Sequence, residues 1–263
     1  MTHPALTYSS YLKIDELLAL QQPRSDGPEH DEMLFIVIHQ VYELWFKQVL
    51  WELDHAVDLL DADDQPTCEH TLNRVLRILK VMVAQMDVLE TMTPLEFGSF
   101  RARLDSASGF QSAQFRELEA VLGAADPSGA DHFPAGSAAR ERFTSRLEAP
   151  TLWVAFLNHV ARRGFAVPAR CLTREPGRRT EPDEELQPIL LEVYRTDAST
   201  ASLCERLVDL DEGLQEWRYR HVKMVERTIG AKPGTGGSQG AAYLHTTLGR
   251  PIFPDLWAIR SRF

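Results

Sequence analysis

Two histidines lie inside long apolar stretches, where an imidazole can act as a base, a hydrogen-bond partner or a metal ligand. His39 stands in FIVIHQVYELWF (residues 35–46), a nearly unbroken apolar and aromatic run. The structural interpretation is a core histidine whose ring is satisfied by a neighbour such as Glu43. The functional interpretation is an imidazole that faces a ligand cavity. The run alone leaves both interpretations open.

His221 lies late in a long predicted helix, in WRYRHVKMVER (residues 217–227), thirteen residues before a glycine-rich loop begins. A lone helical histidine can again be purely structural. If His221 bound a haem iron, nearby cations could neutralise the two haem propionates, which a lone zinc ion would not require. The sequence has no C-x-x-C-H motif, so a haem would be held without a covalent link. The basic residues around His221 are Arg218, Arg220, Lys223 and Arg227.

A Glu-x-x-His step, of the kind that di-iron helical bundles use, occurs at Glu52 and His55. Residues three apart share a helix face, so both side chains could reach one metal ion. A carboxylate di-iron site needs a second such step, and no other histidine has an acidic residue three positions before it. We therefore expect Glu52 and His55 to be surface residues.

Two further segments could bind an anionic or zwitterionic ligand. The segment GTGGSQG (residues 234–240) follows a helix and lacks the Lys-Ser/Thr of a Walker A loop. It could close over a small zwitterion or be a plain surface loop. Arg101 follows Phe97 and Phe100. An arginine in this position either covers apolar surface with its stem or binds a carboxylate through two hydrogen bonds.

Apolar residues recur at helical spacing along the chain and alternating β-branched runs are missing, so we predict an all-α protein. The clearest stripe predicts a helix from about Asp31 to Leu60, roughly 45 Å long. Thr67–Thr91 repeats the pattern after a short acidic turn, which predicts an antiparallel pair. The other predicted helices are Tyr11–Leu20, Pro94–Leu104, Gln111–Leu122, Thr151–Gly164 and Ser199–Ile229.

Composition excludes several classes of protein. The 263 residues carry a formal net charge of -10, which argues against a nucleic-acid partner because affinity for a polyanion rests on Lys and Arg. The 3 cysteines form no C-x-x-C pair, so neither a disulfide framework nor a cysteine-rich zinc site is indicated. No secretory signal and no apolar run of about 18 residues is present. We expect a cytoplasmic protein that does not span a membrane.

Taken together, four blocks resemble the tryptophan 2,3-dioxygenase family. They are YSSYL (8–12), DEMLFIVIHQVYELWFK (31–47), FR (100–101) leading to SGFQS (108–112), and WRYRH (217–221) with GTGGS (234–238). The resemblance implies a single all-α domain over residues 1–263, a helical bundle with long core helices and a haem pocket. Residues 1–24 would form an N-terminal segment that reaches a neighbouring subunit, and residues 165–190 would form an exposed excursion.

The same resemblance implies roles for individual residues. His221 would be the axial ligand of a b-type haem, and His39 would lie on the opposite side and face the indole N–H. Arg101 would hold the substrate carboxylate, and Thr235 would meet the substrate as the loop closes. The other implied contacts are Phe35 and Phe97 to the substrate, Gly236, Gly237 and Trp217 to the haem, and Tyr8, Tyr11 and Leu12 to the substrate site of a neighbouring subunit.

The chemistry that the resemblance implies is a haem-dependent dioxygenation. Ferrous haem would bind O2, and both oxygen atoms would enter across the indole C2–C3 bond of L-tryptophan to give N-formyl-L-kynurenine, the first step of tryptophan catabolism through kynurenine. The assembly would be a homotetramer, a dimer of dimers. Phe97 and Gln239 depart from the family pattern, where Tyr and Ser are found. Two alternatives remain: a non-enzymatic haem or tryptophan sensor, and a di-iron carboxylate oxidase.

Overall fold

Helices make up the regular structure of the chain, as the apolar spacing predicts. The computed structural model describes residues 5–27, 29–173, 175–235 and 240–263, and within these ranges it holds twelve α-helices and no β-strand. The α-helices are α1 (Tyr8–Leu12), α2 (Ile14–Leu18), α3 (Asp31–Asp61), α4 (Gln65–Leu89), α5 (Pro94–Phe100), α6 (Ala113–Val121), α7 (Ala138–Glu148), α8 (Leu152–Arg162), α9 (Leu186–Thr196), α10 (Ala198–Ile229), α11 (Ala241–His245) and α12 (Pro254–Ala258).

Side-chain caps mark the starts of α4, α5 and α10. Asp64 accepts a hydrogen bond from the Thr67 backbone N–H at the start of α4, and Asp197 does the same for Thr200 at the start of α10. Thr93 and Glu96 form a capping box at the start of α5. Each cap satisfies a backbone N–H that has no partner inside the helix.

The core is built on α3 and α4, which run antiparallel. The Tyr42 hydroxyl donates to the Met82 carbonyl at 2.7 Å, and Glu52 pairs with Arg74 further along the two helices. Helix α10 packs against α4, while α6 and α8 pack against α3. Leu53 is fully buried in this core, and complete burial of one such side chain stabilises a fold by roughly 1.5–3 kcal/mol.

The predicted helix Tyr11–Leu20 is wrong as a single element. The chain forms α1 and α2 instead, which are separated by Lys13 in a left-handed conformation with φ of 55°. The predicted helix Pro94–Leu104 also changes character, because α5 ends at Phe100 and Arg101–Leu104 forms a 3-10 helix. Both differences concern short helices, which are marginally stable on their own, so tertiary packing decides where they begin and end.

Residues 165–190, expected to be an exposed excursion, are attached to the core at several points. The segment ends in the first turns of α9, where Leu186 and Leu190 are fully buried. The Asp183 backbone N–H donates to the buried Asp255 carboxylate at 2.7 Å. Arg170 holds the Asp183 side chain through two hydrogen bonds. The expectation of exposure is therefore wrong for the later part of the segment.

The expectation that Glu52 lies on the surface is also wrong. Glu52 is only 4% exposed, and its carboxylate accepts hydrogen bonds from Arg74 at 2.9 and 3.0 Å and from Gln48 at 2.7 Å. His55, by contrast, is exposed as expected. Within the described ranges, no group of three or more His, Cys, Asp and Glu side chains is placed to hold a metal ion. The described helices include none that is both long and apolar enough to cross a membrane.

Candidate active site

One cavity of about 280 Å³ lies between α3, the end of α4, α5, α6 and α10, with α11 at its edge. The long helices thus supply walls from opposite ends of the sequence. Seven of the predicted site residues line this cavity: Phe35, His39, Phe97, Arg101, Trp217, His221 and Thr235.

His39 faces the cavity from α3, one helical turn after Phe35. Its Nδ1 lies 2.7 Å from the Phe35 carbonyl oxygen. Since a carbonyl only accepts, Nδ1 must carry the hydrogen, and Nε2 keeps its lone pair. Burial lowers the pKa of His39 below the ordinary 6.5, while the Phe35 carbonyl and the Glu43 charge oppose this change. The ring is therefore neutral at neutral pH and offers one acceptor nitrogen.

His221 contributes an imidazole from α10 in a different setting. Its ring stacks parallel to the Trp217 indole, with centroids 5.4 Å apart and planes 4° apart. It makes no hydrogen bond to any residue that the structure describes. Burial, with a smaller contribution from His39, lowers the pKa of His221 to about 4. A neutral imidazole with a nitrogen lone pair is the form that binds metals.

Aromatic rings line the cavity beside His39. The Phe35 centroid lies 5.8 Å from that of Phe97 and 5.5 Å from that of Phe100, and the two latter rings meet edge to face at 5.4 Å. Phe97 and Phe100 are buried, whereas Phe35 is partly open to the cavity. This wall has the chemistry of a slot for a flat, apolar ring.

Arg101 and Thr235 lie where the base of the glycine-rich loop crosses the cavity. The Arg101 guanidinium donates to the Pro233 carbonyl at 2.5 Å. The Thr235 hydroxyl donates to the Ala107 carbonyl. The two polar side chains that could meet a zwitterion thus lie at the same end of the cavity. The positions Gly236, Gly237 and Gln239 lie outside the described residues.

A buried ionic network lines another part of the cavity, and the sequence interpretation missed it. Glu119 accepts from Arg116 at 2.6 Å and from Arg218 at 3.1 Å. Arg116 Nε and Trp217 Nε1 are buried N–H groups without a hydrogen-bond partner among the described residues. Two guanidinium groups therefore share one carboxylate at this wall, which also holds two unused N–H donors.

The four basic residues around His221 were expected to supply cations for the haem propionates, but three of them form ion pairs with acidic side chains instead. Arg220 pairs with Asp87 at 2.6 Å and Arg227 with Glu90 at 2.7 Å. Lys223 pairs with Glu226. Of the four cations, Arg218 lines the cavity. Arg220, Lys223 and Arg227 follow one another at steps of three and four residues, so they share a different face of α10 and meet acidic side chains there.

The N-terminal residues lie away from the cavity of their own chain. Tyr8 is 77% exposed, Tyr11 72% and Leu12 43%. None of the three is among the residues that line the cavity. Such exposure of large apolar side chains on one short segment indicates a surface that a partner can cover.

Comparison with known proteins places the chain. The family model for tryptophan 2,3-dioxygenase matches residues 1–145 and 170–263. The chain is 59% identical over 257 residues to the tryptophan 2,3-dioxygenase of Herpetosiphon aurantiacus, a match that covers 98% of both chains. It is 57% identical to that of Anaeromyxobacter sp. strain K, over 97% of this chain and 96% of the relative. It is 44% identical to that of Caulobacter vibrioides, over 98% of both chains. The chain belongs to the tryptophan 2,3-dioxygenase family.

The part of the chain outside the tryptophan 2,3-dioxygenase family model lies outside the site. Residues 146–169 include α8, which packs against α3. None of these residues lines the cavity, whereas every cavity residue falls in a matched range. The missed pair Arg116 and Glu119 had one local signal, the three-residue step on the helix that Ser112 caps. Glu119 and Arg218 are 99 positions apart in the sequence, so no local spacing indicates their contact.

Proposed function

We propose that the chain is a haem-dependent dioxygenase that inserts both atoms of O2 across the indole C2–C3 bond of L-tryptophan, giving N-formyl-L-kynurenine. The observation that carries the proposal is the meeting of two neutral histidines, an aromatic slot and an arginine in one cavity. The sensor alternative needs neither Arg101 nor Thr235, yet both line the cavity. The di-iron alternative is not favoured, because the Glu52 carboxylate is bound by Arg74.

The residues present fit a b-type haem. His221 would supply the nitrogen that holds the haem iron, since its ring is neutral and has no hydrogen-bond partner among the described residues. The guanidinium groups of Arg116 and Arg218, with the unused Arg116 Nε–H and Trp217 Nε1–H, suit the two propionates. When bound, the haem would supply the redox-active iron that the reaction with O2 requires.

The residues of the chain then orient the substrate. His39 keeps its Nδ1 hydrogen on the Phe35 carbonyl, so its Nε2 accepts the indole N–H and fixes the position of the ring. Phe35 and Phe97 wall the indole and exclude water from it. Because Phe97 has no hydroxyl, binding of the substrate carboxylate depends more strongly on Arg101 here than in a family member with Tyr at this position.

Binding of the substrate carboxylate is coupled to the loop. Arg101 donates to the Pro233 carbonyl, and Thr235 donates to the Ala107 carbonyl. A carboxylate that enters this end of the cavity competes for the Arg101 guanidinium with a stronger, charge-assisted hydrogen bond. Thr235 can then turn to the substrate as the loop base moves. The carboxylate and ammonium groups of tryptophan thus favour the arrangement in which Arg101 and Thr235 contact the substrate.

An oxygen-isotope experiment tests the reaction. The purified, haem-loaded protein is reduced, supplied with L-tryptophan and ¹⁸O₂, and quenched quickly. We expect one product with the mass of N-formylkynurenine that carries two heavy oxygen atoms. A singly labelled product would indicate a monooxygenase, and unchanged tryptophan with a bound haem would indicate a sensor. Either result would contradict the proposal.

The assembly is part of the same proposal, a homotetramer in which Tyr8, Tyr11 and Leu12 complete the site of a neighbour. Their exposure supports this role. None of the described residues 5–12 is buried, so deletion of residues 1–12 should lower activity more than stability. Mixed assembly gives the sharper test. A chain without residues 1–12 and a His221→Ala chain should each be poorly active, but hybrids refolded together should regain activity. Without such recovery, the exchange of segments is refuted.

A further inference from the structure

A second cationic group lies behind Arg218, and the proposed reaction does not use it. Arg179, in the segment between α8 and α9, is half-buried, and Arg250, in the loop before α12, is exposed. The charges of Arg218 and Arg250 both act on Arg179. Neither Arg179 nor Arg250 lines the main cavity, whereas Arg218 does. Arg179 contacts the Arg250 carbonyl at 3.4 Å and lies within electrostatic range of Arg218, so it stands between an arginine of the cavity wall and an arginine of the surface.

Two close backbone approaches fix the position of Arg179. The Thr180 N–H donates to the Gly123 carbonyl at 2.9 Å. A Cβ on Gly123 would lie 2.5 Å from the Thr180 hydroxyl, and a Cβ on Gly177 would lie 2.5 Å from the Pro127 ring. Both glycines also have positive φ, 75° and 72°. Only glycine suits these two positions, so residues 177–180 are held firmly against the loop after α6.

The two neighbouring arginines of this segment have opposite settings. Arg178 is exposed and pairs with Glu175 at 2.9 Å and with Glu181 at 3.0 Å. Arg179 is half-buried and forms no ion pair with any described carboxylate; its hydrogen bond is a long one, 3.4 Å, to the Arg250 carbonyl. Burial and then the charges of Arg218 and Arg250 lower the pKa of Arg179.

The acidic groups that face Arg179 are already engaged. Glu119 is shared between Arg116 and Arg218. Asp211 accepts hydrogen bonds from the backbone N–H groups of Ile252 and Phe253, from the Trp257 indole and from the Gln215 amide. A half-buried guanidinium among like charges destabilises a fold unless an anion compensates it.

We propose that Arg179 and Arg250, with Arg218 behind them, bind one oxyanion group of the phosphate or carboxylate class. A guanidinium presents a planar pair of donors that matches such a group. Two sources could supply it: a small phosphate anion that enters from solvent past Arg250, or a haem carboxylate that approaches past Arg218. Only the second source rests on the proposed function.

Inorganic phosphate is the probe for the first source. The haem-loaded wild-type protein, Arg179→Gln and the matched surface control Arg178→Gln are titrated with phosphate against chloride of equal ionic strength. Calorimetry gives affinity and thermal unfolding gives the midpoint. We expect phosphate to raise the unfolding midpoint of the wild type and of Arg178→Gln, because a ligand that binds the folded state stabilises it. Affinity should fall at least tenfold in Arg179→Gln.

Haem release tests the second source. If the three arginines hold a cofactor carboxylate, Arg179→Gln should transfer its haem to excess apomyoglobin at least fivefold faster than Arg178→Gln does, and phosphate should bind none of the variants. This result supports the site with the cofactor as its occupant. Should Arg179→Gln fail to fold, the exposed Arg250→Gln is expected to change the same readouts in the same direction.

The proposal is overturned if Arg179→Gln and Arg250→Gln match Arg178→Gln in both phosphate affinity and haem release. It is also overturned if phosphate binds equally well to all variants, because the anion then lies elsewhere. A protein that holds no haem would contradict the proposed function, and the same phosphate titration on the haem-free chains would still test the anion site. The two proposals therefore fail separately.

Discussion

The α3 wall and the α10 wall of the cavity each carry one histidine, and the two rings are held in different ways. On α3, His39 is tied by Nδ1 to the Phe35 carbonyl at 2.7 Å. On α10, His221 is stacked on Trp217 and has no hydrogen-bond partner among the described residues. Desolvation by the surrounding protein lowers the pKa of both rings, although His39 is open to the cavity. They share a charge state and differ in which nitrogens remain available.

This difference separates two kinds of chemistry. A ring with a fixed tautomer presents one acceptor in a known direction, which suits the orientation of a substrate N–H. A neutral ring with no hydrogen bond is held by stacking alone, which suits a bond to a metal. Residue type and helical position do not distinguish these cases. The neighbouring carbonyl and the neighbouring indole do.

The largest effect should follow from His221→Ala. An axial imidazole is the one strong bond between the protein and a non-covalent haem, so this variant should retain less than about a tenth of the wild-type haem. Haem content per folded chain, by absorbance and circular dichroism, is the measurement. His39→Ala is the matched control and should keep its haem. Equal haem loss in both variants, or an unchanged Soret band in His221→Ala, would show that the two walls do not differ as described.

A smaller effect is expected at Arg101, on the substrate side with His39. Loss of one partner of a buried charged hydrogen bond typically costs about 2–5 kcal/mol. Arg101→Ala should therefore raise the tryptophan KM roughly thirtyfold or more. Haem content should stay unchanged. Arg101→Lys should recover only part of the loss, since an ammonium lacks the planar pair of donors.

Tryptamine provides the control for Arg101, because it has the indole but no carboxylate. Wild type and Arg101→Ala should bind it with similar affinity. If both proteins also bind tryptophan alike, Arg101 only covers apolar surface and holds the Pro233 carbonyl. The cavity would then have no arginine that binds the carboxylate on the side of His39.

Long uninterrupted periodicity made the main helices predictable. The expected spans Asp31–Leu60 and Ser199–Ile229 differ by one residue at an end from α3 and α10. Helix α9 was missed because residues 165–190 were expected to form an exposed excursion. Pro188 is compatible with this helix, since it lies in the first turn, where no backbone N–H is needed. Helix α7 was missed because its polar face is stabilised by distant partners, as in the pair of Arg142 with Glu117.

The site divides in the same way. Residues on the walls of long helices, such as His39 and His221, could be found because helical spacing and aromatic context single them out. The tautomer of His39 could not, since it depends on a carbonyl orientation one turn earlier. Nor could the sharing of Glu119 by Arg116 and Arg218, because the packing of α6 beside α10 is a tertiary property.

His39→Ala should have a moderate effect on turnover. The His39 ring offers one neutral hydrogen bond to the indole N–H, worth about 1 kcal/mol in net terms, so kcat/KM should fall about fivefold and remain measurable. A substrate methylated at the indole nitrogen has no hydrogen to donate and should differ little between wild type and variant. Complete loss of turnover with haem and tryptophan still bound would make His39 an obligatory base instead.

The smallest effect concerns the pH dependence of the α3 wall. Burial lowers the pKa of His39 below the ordinary 6.5, whereas the Glu43 charge raises it. Protonation would occupy Nε2 and remove the acceptor for the indole N–H. Activity should thus stay constant from neutral pH down to about 6.5 and decline only below it. The free energy of unfolding changes with pH in the same direction. His39 of the unfolded chain binds a proton at higher pH than His39 of the folded chain, so the stabilisation from the neutral ring is present above the unfolded pKa and is lost as the pH falls toward the folded pKa.

Glu43→Gln can isolate this effect. The Gln114 amide donates to the Glu43 carboxylate at 2.8 Å, and a glutamine keeps an acceptor oxygen for that contact. Only the charge is removed, so the acid limb of kcat/KM should move to lower pH, by about one unit or less for a single partly solvated charge. In His39→Ser the limb should disappear. A limb that persists in His39→Ser, or that moves upward in Glu43→Gln, belongs to another group, and the fixed neutral ring on α3 would then no longer explain how this wall differs from that of His221.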